Sequence, residues 1–130
     1  MKKWLKYTLI SVAGCTIILF GSLWFLFSMS IENRFDDKLF DKIEWKKYSN
    51  DMDRDNPRGQ MIEDLFENHL KKGMSSVEII ALLGTPDIKN EKNFYSYNIG
   101  MWSGLRMDYD SLDLWFDNKG RLKSFGRVQH

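Results

Sequence analysis

The residues that could do chemistry in this 130-residue chain are few and scattered. There are two histidines, His69 and His130, and one cysteine, Cys15. A hydrolytic triad needs a nucleophile, a base and an orienting acid held together. Neither histidine has a second one nearby in sequence to suggest a metal or acid–base pair. One cysteine excludes an internal disulfide and a cysteine-based zinc site. There is no glycine-rich phosphate loop, and no cofactor is expected. The run Asp51-Met-Asp-Arg-Asp55 places carboxylates where a calcium loop has its first, third and fifth ligands. The rest of that pattern fails, because Asn56 stands where the glycine belongs and Ile62 where the last glutamate belongs. The run reads instead as a solvated acidic loop leading into a helix N-terminus, where negative charge is favourable. Asp108, Asp110, Asp113 and Asp117 are numerous, but Asp113 and Asp117 read as strand-surface and turn residues. An enzyme is therefore not expected.

The charge is unevenly spread. The formal net charge is +1, yet residues 1–31 carry three lysines and no acid, and the remainder sums to −2. A near-neutral body without a basic stripe gives no reason to expect nucleic acid. From Tyr7 to Ile31 no residue is charged. Such a run, as a helix, spans roughly 37 Å and can cross a bilayer. Lysines before it and mixed charges after it favour a cytoplasmic N-terminus, with residues 8–30 in the bilayer and the body outside the cytoplasmic (inner) membrane. Three treatments stay open: an uncleaved signal anchor, favoured by length; a cleaved signal peptide ending near Ser28 or Ser30; and lipidation of Cys15 in a Val12-Ala13-Gly14-Cys15 lipobox.

Three segments follow: 1–31 as basic head and anchor, 32–56 as a juxtamembrane stretch, and 57–130 as the folded domain. In the second, Phe35, Leu39 and Ile43 are spaced for a short amphipathic helix, and Trp45 is expected to anchor the stretch on the domain. Asn56 caps a helix with Pro57 at its first position and Gly73 past its end. Met61, Ile62, Leu65, Phe66 and Leu70 give that helix an apolar face, and Glu67–Lys71 a favourable pair. Ser75 and Glu78 form a capping box for a second helix, with Met74 and Ile79 as its staple. Val77, Ile80, Ala81, Leu82 and Leu83 form its stripe, and Gly84 and Pro86 end it.

The period then changes to two. Asn93–Ile99 and Ser111–Asp117 read as strands, with Arg121–Val128 returning from the turn at Asp117–Gly120. The expected fold is α+β: a transmembrane helix, then two helices packed on a three-stranded antiparallel sheet. Its expected core is Leu65, Phe66, Leu70, Val77, Ile80, Leu83, Tyr97, Leu112, Leu114, Phe116 and Leu122. An aromatic patch beside the sheet, made of Trp102, Tyr95, Tyr109 and Trp115, is one candidate protein-binding surface, and an acidic loop surface at Asp108–Asp113, with Asp108 and Asp110, is another.

The stretch Gly73-Met-Ser, Val77 and Leu82-Leu83-Gly84-Thr-Pro86 resembles the second-helix signature of the SmpA/OmlA, or BamE-like, family of small bacterial envelope proteins. Trp45, Met61–Leu65, Tyr97, Gly100, Leu112, Phe116, Asp117 and Gly120 extend the resemblance over residues 40–128. It implies two helices on a three-stranded sheet, a fold shared with β-lactamase-inhibitor-protein-like domains. It also implies a non-enzymatic scaffold that binds another envelope or membrane protein. The inhibitor likeness permits an alternative, an inhibitor or immunity protein with one soluble partner. The chain departs from the family in its anchor, where a membrane helix replaces a lipidated cysteine and polar tether.

Overall fold

A computed structural model describes residues 2–30, 34–90 and 93–130. The side chains of residues 28–30 and 90 are outside that description, and with them the small residues of a cleavage site. The chain divides into two compact units, Met1–Glu32 and Asn33–His130.

The first unit is helix α1, Lys2–Ser30. It is long and apolar enough to cross a membrane by length and composition. Three of its hydroxyls are turned back onto the helix. Thr8 donates to the Trp4 carbonyl, Thr16 to Val12 and Ala13, and Ser22 to Leu19. A hydroxyl satisfied in this way carries little cost in hydrocarbon.

In the second unit the sheet has four strands, not three: β1 Ile88–Asn90, β2 Phe94–Gly100, β3 Asp110–Phe116 and β4 Leu122–Gln129, antiparallel in that order. β1 is a three-residue edge strand with one apolar residue, too short for a period-two signal. The β3–β4 turn forms at Asp117–Gly120 as expected. Gly120 has φ 70°, and the Asp117 carboxylate accepts from the Lys119 and Arg121 amides.

Ser75 caps α4, Ser76–Leu83, and the reciprocal Ser75–Glu78 capping box is formed. The buried face of α4 differs from the expected stripe. Ile79 and Leu83 are buried, whereas Val77 is 74% and Ile80 37% exposed. The segment is apolar nearly all round, so periodicity alone does not choose its face. The preceding helix is a composite: a 3-10 turn at Pro57–Met61, an α segment α3 at Ile62–Asp64, and a π turn at Leu65–His69 closed by the Leu70 amide on the Leu65 carbonyl. It ends at His69, so Lys71 lies beyond it. Met61, Ile62, Leu65 and Leu70 all reach the core, and Phe66 lies half-buried against Phe125, their ring centroids 5.2 Å apart.

The segment before Pro57 is part of this unit. Helix α2, Lys42–Lys47, is capped by Asp41 and carries a fully buried Trp45, while Phe35 is also in the core. The Lys38 amide donates to the Gln60 carbonyl, and the Glu63 amide to Phe35. Helices and loops cover one face of the sheet, where Tyr95, Tyr97, Ile99, Leu112, Leu114, Phe116 and Leu122 are buried.

Candidate functional site

The six residues expected at a binding surface fall into two groups. Trp102, Tyr95 and Asp110 are buried, at 9%, 7% and 0% exposure, and leave the surface patch. Tyr109, Trp115 and Asp108 remain at the surface. They do not form one cluster. Trp115 lies on the face of β3 opposite the buried Leu112 and Leu114, whereas Asp108 and Tyr109 belong to the loop between β2 and β3.

Each burial has a local cause. Tyr95 points to the core face of β2 and meets Phe116 edge-on at 4.8 Å between centroids. Trp102 folds back over the composite helix, where Gly59 and Gly100 leave room for its indole. Its Nε1–H donates to the Asn56 carbonyl at 2.9 Å, and Arg106 stacks on its outer face at 4.5 Å. Asp110 opens β3 with its carboxylate turned into the loop. It accepts from the Trp102 amide (2.6 Å), the Ser103 amide (2.8 Å) and the Ser103 hydroxyl (2.5 Å).

On that face of β3, Trp115 packs beside Phe94 with centroids 5.8 Å apart. A shallow depression beside it is lined by Asn93, Lys123 and Ser124. Behind this pair Ser96 and Ser111 both donate to Asp113 Oδ1, at 2.6 and 2.9 Å, and His130 Nε2 lies 2.8 Å from Ser111 Oγ. A serine, a histidine and an aspartate thus meet, but in the wrong order for nucleophilic attack. The Ser111 proton is directed at the carboxylate rather than at imidazole, and Ser111 is only 2% exposed. The sequence pattern places Asp113 on the strand surface. Nothing in that pattern signals that Ser96 and Ser111 close over its carboxylate.

The other unforeseen group is a buried ion pair. Arg58 is fully buried and donates from Nη1 to Asp87 Oδ2 at 3.0 Å and from Nε to the Trp45 carbonyl at 2.7 Å. Its guanidinium lies 5.0 Å from the Trp45 ring centroid and 5.9 Å from that of Tyr97. Asp87 also accepts from the Asn98 and Asn50 amides. Burial pulls the Arg58 pKa below its ordinary range, and the Asp87 charge opposes that. Burial likewise raises the Tyr97 hydroxyl, which donates to the Gly84 carbonyl. This pair ties α2, the composite helix and β2 together, and its role is structural.

The acidic run 51–55 is similarly self-occupied. Asp51 accepts from the Asp53 amide, Asp53 from the Asp55 amide, and Asp55 pairs with Arg106. Among the described residues no group of three or more histidine, cysteine or acidic side chains is placed to hold a metal ion.

These elements define a small two-layer α+β unit following an apolar N-terminal helix. No protein-family model matches the chain, and no curated protein matches it. Among solved structures, it is similar to a crystal structure of the osmotically inducible lipoprotein OsmE, whose fold is BamE/SmpA-like. The match has a TM-score of 0.36 and 22% identity, and covers 58% of this chain and 79% of that one.

Proposed function

We propose that the protein is a membrane-anchored, non-enzymatic module of the bacterial cell envelope that binds another envelope or membrane protein. In this reading α1 is an uncleaved signal anchor in the inner membrane, with the N-terminus inside and the α+β unit outside. One observation carries the proposal. Several polar side chains of the unit are bonded within it, among them Asp87, Asp110 and Asp113, whereas large apolar side chains stand at the surface, among them Trp115 at 39% exposure. Exposed aromatic side chains next to polar ones are the usual anchors of protein interfaces.

The test is brief in-cell crosslinking of the full-length, C-terminally tagged chain, followed by purification in mild detergent and mass spectrometry. Recovery of the same envelope protein at fixed ratio is the expected result. A Trp115→Ala variant should lower that recovery, and through the lost contact with Phe94 it should cost only about 1 kcal/mol of stability, which thermal unfolding checks. If recovery is unchanged in every surface variant and no envelope protein is enriched, the reading is wrong.

A further inference from the structure

The loop Met101–Tyr109 exposes three large apolar side chains, and it is held in place along its length. Leu105 is 82% exposed, Met107 75% and Tyr109 39%. Flexible loops that show such side chains need no special construction, but this one is held at four places. Asp110 binds its first turn through three hydrogen bonds. Arg106 is turned inward between Leu105 and Met107, with its Nε donating to the Met101 carbonyl at 2.7 Å, its Nη2 on the Asp55 carboxylate and its plane on the Trp102 ring. The Met101 amide donates to the Arg54 carbonyl at 2.9 Å, and the His130 amide to Tyr109. Arg106 is held at φ 58°, a left-handed conformation that a non-glycine residue adopts only when its surroundings hold it there. The outcome is that the two residues flanking Arg106 point to solvent. Fixing a loop beforehand removes the ordering cost of binding through it.

The neighbouring loop 51–55 shares this end of the sheet and adds Met52, 51% exposed. The two loops together carry four carboxylates, Asp51, Asp53, Asp55 and Asp108, against two guanidiniums, Arg54 and Arg106; Asp55 and Arg106 pair with each other, which leaves three carboxylates against Arg54. The end is therefore apolar at its tips and acidic around them. That sign disfavours an anionic lipid surface and favours a basic protein surface.

We infer that the Met101–Tyr109 loop, with loop 51–55 beside it, docks a protein partner that offers an apolar pocket rimmed by lysine or arginine. The inference rests on the protein-binding reading and adds this end of the molecule to the Trp115 face as a contact.

The experiment places a photo-crosslinking amino acid at position 105, 107 or 115 of the full-length anchored chain in cells and maps each adduct to a peptide. Positions 105 and 107 should give one discrete protein adduct whose contacted segment has net positive charge. Asp108→Lys in the same chain should cut its yield by about fivefold, since a like-charge contact replaces an attractive one. Asp108 is exposed, so that variant should keep the parent melting temperature within about 2 °C. An adduct from position 115 alone would overturn the docking loop and keep the protein-binding reading. No protein adduct at any of the three would overturn both. Phospholipid adducts at 105 and 107, or a protein adduct indifferent to Asp108→Lys, would overturn the basic-partner assignment.

Discussion

A methyl group added at residue 59 would overlap the Trp102 indole at Cδ1 and Nε1 and approach the Ile99 carbonyl oxygen to 2.6 Å. Two of these neighbours belong to a buried ring and one to backbone, so none can step aside cheaply. Gly59→Ala should therefore cost about 3 kcal/mol or more, above the usual range for overpacking. Equilibrium urea unfolding measures this, and a loss under 1 kcal/mol would mean that Trp102 is free to leave its slot. The slot holding Trp102 has no local signature in the sequence. A tryptophan among glycines in a connecting segment has no periodicity to show whether it turns in or out. The Arg58–Asp87 pair was illegible for a related reason: its members are 29 residues apart, and each sits beside a proline at a helix end. Removing one partner of a buried pair strands the other charge. Asp87→Ala should accordingly cost about 3–5 kcal/mol. Arg58→Met should cost less, because the Asp87 carboxylate would keep the Asn98 and Asn50 amides. Equal losses in the two variants would contradict that asymmetry.

At the level of elements, the signals written in short-range chemistry were legible and those set by tertiary contacts were not. Caps are local: the Ser75–Glu78 box, Asn56 with Pro57, and the Asp117–Gly120 turn all form where their residue types place them. The face of α4, the π turn at Leu65–His69 and strand β1 depend on what packs against them. The capping box also sets a pH dependence. Hydrogen bonds from Ser75 hold the Glu78 carboxyl below its ordinary 4.5. The amides of Phe40, and of Arg121 and Lys119, do the same to Asp64 and Asp117. As pH falls through the ordinary carboxylate range, the unfolded chain takes up protons that the native state does not, so stability falls with it. The melting temperature should thus decline between about pH 5 and pH 3. Glu78→Gln keeps an acceptor for the Ser75 amide but cannot titrate, and should make that decline shallower. An unchanged slope would show that the box contributes nothing to acid sensitivity.

For the whole molecule, the sequence divides plainly at the end of the uncharged run, because a stretch without charge contrasts with everything after it. The next boundary is harder to see. Asn56-Pro57 is the strongest helix start in the chain, and it invites the view that the folded unit begins there. Contacts across it oppose that view. Trp45 is fully buried against Arg58 and Tyr97, Phe35 lies in the core, and Lys46 reaches the Ala81 carbonyl on α4. A chain begun at residue 57 would expose the Arg58 guanidinium and one side of Tyr97, and would lose the Trp45 carbonyl that Arg58 Nε binds. Burial of large aromatic side chains contributes roughly 1.5–3 kcal/mol each, a large share of the 5–15 kcal/mol that stabilises a typical domain. Residues 34–130 should therefore unfold in one cooperative transition, with the buried Trp45 and Trp102 giving a blue-shifted fluorescence that moves red on denaturation. Residues 57–130 should show no such transition. Cooperative unfolding of the shorter chain at a comparable midpoint would instead make residues 34–56 a tether laid on a domain that is complete without them.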